Sequence, residues 1–400
     1  MNERFTLVGR LGGVATIAYA STYYLPAIVA PDMARDLGTT PSIIFLAFSL
    51  SLLITALLGP WTGRQADRRG GRAVLLVACL LFAAGLFALA ASTNVTTLLL
   101  AWAVLGVAMT AGAIDIAYAT VVHAHGAKAR PLITGITLVA GFASTVGWLT
   151  TGWLNGLLGW RGTCAVWAIA HLAIAVPLVL SLPAHRATCE AALLPAEAGA
   201  VADASPTERP QLGRATPWLL AYIFGATWFV GTAMAAHLPG LLHAAGTTVE
   251  TSILIASLLG PAQVLGRIVE FTFLKKTNAL TSARVASLGH AAGALLLIAL
   301  GAPASMAFAL FHGIGNGVLT VANGTLPLHI YGAGSYGARQ GFLMIPARLA
   351  QAVAPYVFGL AIASFGGFAL WLSIALGIST LAALMCLAAP GHDPRDRIRL

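Results

Sequence analysis

Long stretches of the chain contain no charged residue, and short polar or basic segments separate them. An α-helix needs roughly 20 apolar residues to cross a hydrocarbon core about 30 Å thick, and a charge inside that core is costly. The charge-free stretches therefore predict helices that cross a membrane. Twelve crossings fit, at residues 11–31, 37–63, two within 73–114, 131–160, 162–185, 215–249, 251–273, two within 285–338 and two between 339 and 390.

Polar breaks organise these crossings into two halves. The turn Ser92-Thr93-Asn94 divides the third crossing from the fourth, and Pro303 divides the ninth from the tenth. A longer change follows Pro183, where prolines and acidic residues accumulate and too little apolar surface remains for packing. We therefore expect an N-terminal six-helix bundle at 1–182, a cytoplasmic linker at 183–214, a C-terminal six-helix bundle at 215–390 and a cytoplasmic tail at 391–400.

The composition favours a membrane protein and excludes other classes. Of the 400 residues, 58% are apolar and 9% are charged, and the mean hydropathy is +0.85. Soluble domains contain about 25% charged residues, so a soluble enzyme and a disordered chain are both excluded. The net charge of +9 is not gathered on one face, which argues against nucleic-acid binding. The four cysteines are far apart and match no disulfide or metal-binding pattern.

The basic residues indicate which side of the membrane each loop occupies. When successive loops are assigned to alternate sides, nineteen of the 22 lysines and arginines fall on one side. Arg35 and Arg161 fall on the other side, and Arg348 lies within a crossing. Basic loops stay in the cytoplasm, so we expect both termini to be cytoplasmic and the first crossing to be an uncleaved anchor. The expected protein is a monomer that crosses the plasma membrane, the bacterial inner membrane, many times.

The two halves repeat short motifs in the same order. Gly38-Thr39-Thr40 is matched by Gly246-Thr247-Thr248, and Gly159-Trp160 by Gly366-Gly367. Glycine is common in membrane helices, so a single match carries little weight. An ordered series, however, indicates a parallel repeat of two six-helix units.

A compact basic turn, Gly63-Arg64-Gln65-Ala66-Asp67-Arg68-Arg69-Gly70-Gly71-Arg72, joins the second and third crossings. It resembles the signature loop of the major facilitator superfamily, Gly-x-x-x-Asp-Arg-x-Gly-x-Arg. The twelve crossings, the linker and the repeated halves are similar to that superfamily over the whole chain. The resemblance implies the all-α major facilitator fold and secondary transport by alternating access, with crossings 1, 4, 7 and 10 around a central site. It also implies a cytoplasmic gate made by Gly63, Asp67, Arg68, Gly70 and Arg72.

Arg348 is the most informative single residue. It follows Arg339 by nine residues and so lies about 13 Å deeper along a helix, where an arginine keeps its charge. Charges within a membrane mark functional sites and need a partner, so we predict that Arg348 binds an anionic substrate. The alternatives are permanent pairing with carbonyls or an acid of a neighbouring helix, or a reach toward the cytoplasm along its long stem.

Two side chains are candidates for carrying a coupling proton. Asp115 is the only acid within an apolar stretch of the first half, and burial favours the protonated form of a carboxyl group. A salt bridge from Asp115 to Arg68 or Arg72 is the favoured alternative. His312 lies near the middle of crossing 10 and can relay protons, although a lone histidine in a helix is more often a hydrogen-bonded core residue.

Further polar and aromatic side chains complete the predicted substrate site. His312 and three other polar residues recur every three or four positions on one face of crossing 10: Asn316, Thr320 and Asn323. Hydrogen bonding between helices is the alternative role of this stripe. The remaining candidates belong to crossings 1 and 7, where tyrosine and tryptophan are also common as interfacial anchors: Tyr23, Tyr24, Trp228 and His237.

Together these features predict a secondary active transporter for a small organic solute, in particular a carboxylate-like anion, with proton coupling as an option. The arginine of crossing 11 and the Leu-Pro ends of crossings 1 and 7 are loosely similar to the monocarboxylate and oxalate/formate-like branch of the superfamily. An efflux pump for hydrophobic or cationic compounds is the alternative. We expect no enzymatic activity, no metal or cofactor and no nucleic-acid partner; the partners are the solute and the lipid bilayer.

Overall fold

The computed structural model describes residues 2–112, 114–125, 130–182, 215–272, 279–331 and 336–387, and the regular structure in these ranges is helical. Ten segments are long and apolar enough to cross a membrane. Two of them, of 49 and 44 residues, exceed one crossing. Each contains a glycine in the left-handed region, Gly159 with φ 66° and Gly366 with φ 57°. Division at these glycines gives twelve crossings, named spans 1–12, and confirms the predicted all-α fold.

The helices follow one another in the order that the charge-free stretches predict. The N-terminal half comprises Asn2–Ala18, the π-helix Tyr19–Tyr23 and Pro26–Asp36 in span 1, Pro41–Arg69 in span 2, Gly71–Ala90 in span 3, Val95–Ala111 and Ile114–His125 in span 4, Arg130–Ala140 in span 5, Ala143–Ala170 shared by spans 5 and 6, and the π-helix His171–Ala175 with Val176–Leu180 in span 6. The C-terminal half comprises Thr216–Ala244 in span 7, Val249–Ser257 and Leu259–Thr272 in span 8, Ala279–Leu300 in span 9, Ser305–Tyr331 in span 10, Tyr336–Phe365 in span 11 and Leu370–Cys386 in span 12.

Capping residues and glycines set the ends of several spans. Asn94 caps span 4, because its side chain accepts a hydrogen bond from the backbone N–H of Thr97 (2.9 Å) while the Thr97 hydroxyl accepts from that of Asn94 (3.2 Å). The polar turn predicted between spans 3 and 4 is thus confirmed. Gly38 and Gly246 both have positive φ, at 61° and 106°, and the threonine two residues later starts the next helix in both halves. The two halves therefore share their turns as well as their order of helices.

The two membrane faces of the protein differ in charge. The basic side is the face at which span 2 ends, with Arg64, Arg68 and Arg69 exposed. The opposite side carries the turns at Gly38 and Gly159. Because the spans number twelve, the first and last helices both reach the basic side. Large apolar side chains are exposed on the flanks of the bundle, as contact with lipid requires, among them Leu57, Leu100, Trp153, Leu254, Val285 and Met385.

The halves pack against each other mainly along spans 2 and 11, spans 1 and 7, and spans 5 and 8. Polar contacts accompany this packing. The Thr145 hydroxyl donates to the carbonyl of Ser257 (2.6 Å), and the Tyr356 backbone N–H donates to the Ser49 hydroxyl (3.2 Å). A few exchangeable hydrogen bonds across a mainly apolar surface suit two bodies that must separate and rejoin.

The linker predicted at 183–214 and the tail predicted at 391–400 lie outside the described residues. The division of the chain at those boundaries stays a prediction. The described helices end at Leu180 in the first half and resume at Thr216 in the second.

Arg161 connects three turns on the opposite side. It forms an ion pair with Asp36, donates from Nη2 to the carbonyl of Ser92 (2.7 Å) and lies over the Trp160 ring, 4.1 Å from its centroid. We expect Arg161→Ala to lower the free energy of unfolding by only about 1 kcal/mol, because 41% of the side chain is exposed and water screens the pair. The measurement is the melting temperature of the detergent-solubilised protein.

Arg35→Ala is the matched control for this prediction. Arg35 also pairs with an acid on the opposite side, Asp32 at 3.0 Å, but its side chain is 78% exposed and its pair lies within one helix. Its replacement should leave the melting temperature unchanged. Equal losses in the two variants would contradict the assigned role of Arg161.

Candidate functional site

A polar cavity of about 180 Å³ lies between the two halves. Spans 1, 4, 7 and 10 line it, as the resemblance implies, and spans 5, 8 and 11 complete its wall. Hydroxyl, amide and guanidinium groups face the space, including Tyr19, Tyr118, Thr137, Gln263, Arg267 and Thr320. A concave site with convergent polar groups is what a small solute requires.

Arg348 lines a second, smaller cavity of about 40 Å³. Tyr19, Tyr23 and Gln351 line both cavities, so the two adjoin. The other walls of the smaller cavity belong to spans 2, 3 and 4, and Arg348 therefore projects from the C-terminal half toward the N-terminal half. It lies about 18 Å along the helix from Tyr336, the basic end of span 11. The predicted position of Arg348 within a crossing is confirmed.

Tyr23 links the two halves at this level. Its hydroxyl forms a 2.7 Å hydrogen bond with the Thr232 hydroxyl of span 7 and accepts one from Nε2 of Gln351 in span 11 (3.4 Å). The ring packs edge-on against Tyr19 and Phe48. Tyr23 thus contacts both bundles beside Arg348, where a bound solute would lie next to it.

Arg267 is a further candidate for the site that the sequence did not single out, although the predicted crossing at 251–273 contains it. Arg267 lies within span 8, lines the large cavity and donates from Nη1 to the carbonyl of Thr137 in span 5 (3.0 Å). Its Nε has no hydrogen-bond partner among the described residues. One signal could have revealed it: Arg267 lies inside the predicted crossing at 251–273, and a charge within a membrane marks a functional site.

Two guanidinium groups are the charged groups of the described cavity lining. Arg267 and Arg348 line them, and the lining residues that the structure describes include no carboxylate. The side chain of Asp115, the acid predicted nearby in span 4, lies outside the described side chains. Two guanidinium groups in a low-dielectric setting attract an anion strongly.

The structure brings five of the predicted substrate-site residues to the cavities: Tyr23, Tyr24, Trp228, Asn316 and Arg348. The predicted stripe of span 10 also holds for Asn316, Thr320 and Asn323, all of which line the large cavity. Their assignment to substrate binding stays a prediction, which this clustering supports.

His237 and His312 lie elsewhere, contrary to the expected position at the site. His237 is buried in span 7, where its Nε2 hydrogen-bonds to the carbonyl of Pro355 (2.8 Å). His312 is buried against His290 of span 9, with 2.7 Å between the two Nδ1 atoms. The sequence places His312 on the same helix face as Asn316. His312 lies one helical turn closer to the opposite side, however, where span 10 packs on span 9 and does not face the cavity.

The signature turn has the backbone that its glycines predict. Span 2 ends at Arg69, Gly70 has a φ of 81°, and span 3 begins at once with Gly71. A Cβ at Gly71 would lie 1.7 Å from the Thr120 hydroxyl of span 4, so the turn is packed tightly on that helix. The Asp67 side chain lies outside the described side chains, and the gate role of Gly63, Asp67, Arg68, Gly70 and Arg72 stays a prediction.

An aromatic layer, formed by Phe45, His237 and Phe358, packs the two halves together between the cavities and the opposite side. The His237 ring lies 4.0 Å from Phe45 of span 2 and 5.7 Å from Phe358 of span 11, between ring centroids. All three residues lie within about two helical turns of the opposite ends of their spans. Beyond the layer is a vestibule of about 640 Å³ that is lined by both halves.

The large cavity lies instead toward the basic side. Tyr118, Thr137 and Arg267 are within about two helical turns of the basic ends of their helices. The aromatic layer thus lies between two spaces that both halves line, one of about 180 Å³ toward the basic side and one of about 640 Å³ toward the opposite side. This is the arrangement of a carrier whose site faces one side at a time.

Comparison with known proteins identifies the family. Residues 11–311 match the family model described as Major Facilitator Superfamily. The chain belongs to this superfamily. It is accordingly a membrane transporter and not an enzyme, as the signature turn and the repeated halves predict.

Curated relatives of this transporter include drug-resistance proteins. It is 30% identical over 182 residues to the chloramphenicol resistance protein of Streptomyces lividans, with 44% of this chain and 45% of the relative covered. It is 30% identical over 170 residues to the multidrug resistance protein MdtM of Escherichia coli K12, with 42% and 40% covered. The chain thus spans less than half the length of these relatives.

The crystal structure of a D-xylose-proton symporter resembles the whole transporter. The TM-score is 0.71, and the match covers 96% of this chain and 97% of the symporter. Sequence identity is 15%, so the likeness concerns the fold alone.

Proposed function

We propose that this superfamily member is a secondary active transporter for a small organic anion that bears a carboxylate group. One observation carries the proposal: Arg267 and Arg348, from spans 8 and 11, line adjoining cavities whose described lining contains no carboxylate. A carboxylate can accept two parallel hydrogen bonds from one guanidinium, which gives affinity and orientation together. Tyr23, Gln351 and Asn316 supply neutral hydrogen-bonding groups for the rest of the solute.

The proposed cycle alternates access about this site. Solute enters the cavity from the basic side, the halves close over it, and the aromatic layer opens to the vestibule. We propose that the basic side is the cytoplasm of a bacterium, since basic loops stay inside, and that the protein acts as a monomer in the inner membrane. Tyr23, which contacts spans 7 and 11, would lose or exchange its partners as the halves move.

Proton coupling remains part of the proposal. His312 is kept as a candidate carrier because it shares a hydrogen bond with His290 in a buried setting, and a histidine pair can hold or release one proton. Asp115 is kept on sequence grounds alone. We expect net uptake of the anion to rise when the solute side of the liposome is acidified, because a proton moving with a monocarboxylate removes the cost of moving net charge.

The test is counterflow in proteoliposomes that contain the purified wild-type transporter. The liposomes are loaded with an unlabelled acid, and entry of the radiolabelled acid is followed for a panel of mono- and dicarboxylates. The matched controls are the corresponding neutral amides and liposomes without protein. We expect at least one acid to exchange and its amide not to. Equal rates for acid and amide, or no acid above the protein-free control, would overturn the proposal.

Export of hydrophobic or cationic compounds is the second candidate. The drug-resistance relatives favour it, and so do the aromatic side chains Tyr19, Tyr24 and Trp228 that line the cavity. Under this alternative, cells that express the chain survive higher concentrations of chloramphenicol or of a cationic dye than vector controls do. Resistance should then persist in Arg348→Gln, because a neutral or cationic compound needs no guanidinium.

A further inference from the structure

Two π-helical turns face each other behind the small cavity. Tyr19–Tyr23 forms one in span 1, and His171–Ala175 forms the other in span 6. π-Helical turns are rare and recur at functional sites, because they cost helix stability and re-aim side chains. Two such turns meet beside the cavity, which indicates that the π-helical register of span 1 there serves the cavity.

A hydrogen bond between Ser21 and His171 connects these turns. Nε2 of His171 lies 2.9 Å from the Ser21 hydroxyl oxygen, and both side chains are fully buried. Ser21 lies midway between Tyr19 and Tyr23 along the chain, so its side chain leaves the helix on the face away from theirs. The two tyrosines line the cavity, and Ser21 fixes the same turn from behind.

The His171 ring also supports a second wall of the cavity. It stacks on the Phe82 ring of span 3, with 4.7 Å between centroids and 22° between planes. Phe82 lines the cavity beside Arg348 and is confined on another side by Gly112, where a Cβ would lie 2.4 Å from the ring. The His171 imidazole therefore contacts both Ser21, which lies behind Tyr19 and Tyr23, and Phe82 itself.

The hydrogen bonds of Ser21 favour one tautomer of His171. The Ser21 hydroxyl lies 3.3 Å from the carbonyl of Ala18; when it donates there, its oxygen accepts from His171 and the ring carries its hydrogen on Nε2. Nδ1 is then a bare acceptor, and it has no partner among the described residues. This form leaves no N–H group of the ring unsatisfied in the core.

We propose that His171 is a positioning residue of the solute site. Through Ser21 it holds the π-helical turn that presents Tyr19 and Tyr23, and through Phe82 it holds the wall that faces them. His171 does not itself line either cavity, so it acts on the solute only through these neighbours. Its effect on solute affinity rests on the proposed anion-transport function, whereas its effect on the shape of the cavity does not.

The first experiment measures the shape of the cavity without any solute. Single cysteines are placed at Tyr19 or Thr320 after Cys79, Cys164, Cys189 and Cys386 have been replaced by alanine, and their labelling by a membrane-permeant maleimide is timed. His171→Phe keeps the ring stack and removes the hydrogen bond; Ser21→Ala removes the acceptor. Both should change the labelling rate at position 19 by about fivefold, the effect of losing one hydrogen bond, and leave position 320 in span 10 unchanged.

The matched control is Ser305→Ala, which removes a buried hydroxyl that has no hydrogen-bond partner among the described residues. It should alter neither position. The double variant Ser21→Ala/His171→Phe should change labelling no more than the larger single variant, because one shared bond is lost. Additive effects, equal changes at positions 19 and 320, or no change at position 19 in protein that elutes as the wild type does would each overturn the proposal.

The second experiment measures transport of whichever acid the counterflow panel identifies. We expect His171→Phe and Ser21→Ala to raise KM by about fivefold with kcat nearly unchanged, since loosened walls weaken binding throughout the cycle. A fall in kcat at constant KM would overturn the positioning role. Altered labelling at position 19 in a protein that moves no acid would instead refute anion transport and leave His171 as the support of the turn.

Discussion

Replacing Arg348 by glutamine is expected to reduce carboxylate transport by roughly 10- to 100-fold, the range that corresponds to losing a hydrogen bond to a charged group. Glutamine keeps most of the length and some donors of arginine but removes the charge that the cavity offers to the anion. Arg348→Lys should restore only part of the rate, because an ammonium group lacks the planar fork that matches a carboxylate. The measurement is initial uptake into proteoliposomes at equal protein density.

Arg35→Gln is the control for Arg348→Gln. It removes the same charge from an exposed position on the opposite side, paired with Asp32, and should leave uptake unchanged. If Arg348→Gln transports the acid at the wild-type rate, Arg348 does not bind the carboxylate and the anion site must be sought elsewhere. Arg267→Gln then becomes the decisive variant, since Arg267 lines the larger cavity.

Gly317→Ala is expected to lower the free energy of unfolding by roughly 3 kcal/mol, because the backbone that the new methyl group would meet cannot move aside. Spans 8 and 10 approach so closely that a Cβ at Gly317 would lie 2.3 Å from the carbonyl oxygen of Gln263. A Cβ at Gly266 would lie 2.4 Å from the carbonyl oxygen of Ile314. Small residues at such crossings permit helices to pack in lipid, and this crossing positions Arg267 beside Asn316.

Gly240→Ala supplies the matched control in the same half. Gly240 also lies within a helix, span 7, but a Cβ there would have nothing within 4 Å. Its replacement should be neutral or slightly stabilising, since alanine favours the helix. The readouts are the yield of monodisperse protein from size-exclusion chromatography and the melting temperature in detergent. A Gly317→Ala protein that is as stable as Gly240→Ala would show that spans 8 and 10 are less closely packed than described.

The spacing of charges predicted the fold because the bilayer imposes a length and a cost on every crossing. The same spacing placed Arg348 inside a helix, while a polar break located the turn at Asn94 and the repeated motifs located the paired turns at Gly38 and Gly246. Each of these results depends on position along the chain, which hydropathy reports directly.

What the sequence could not provide is the rotation of each helix. In a membrane both the lipid-facing and the buried faces of a helix are apolar, so the periodic contrast that orients a helix in a soluble protein is weak. For this reason His312 was placed at the cavity although it packs on His290. The π-helical turns of spans 1 and 6 were not predicted for a similar reason: nothing in the residues at 19–23 or 171–175 distinguishes them from an ordinary α-helix. Arg267 was not singled out because it lies six residues from the predicted end of its crossing at 273, where a basic residue can also serve the basic side of the membrane.

The aromatic layer also determines how solute flow depends on conditions. The His237 ring contacts Phe45 of span 2 and Phe358 of span 11, so these three rings stand between the cavities and the vestibule on the proposed path of the solute. Each molecule that passes must wait for these rings to part and meet again. The flux therefore saturates as the concentration of solute rises and falls steeply on cooling, unlike the flux through an open pore.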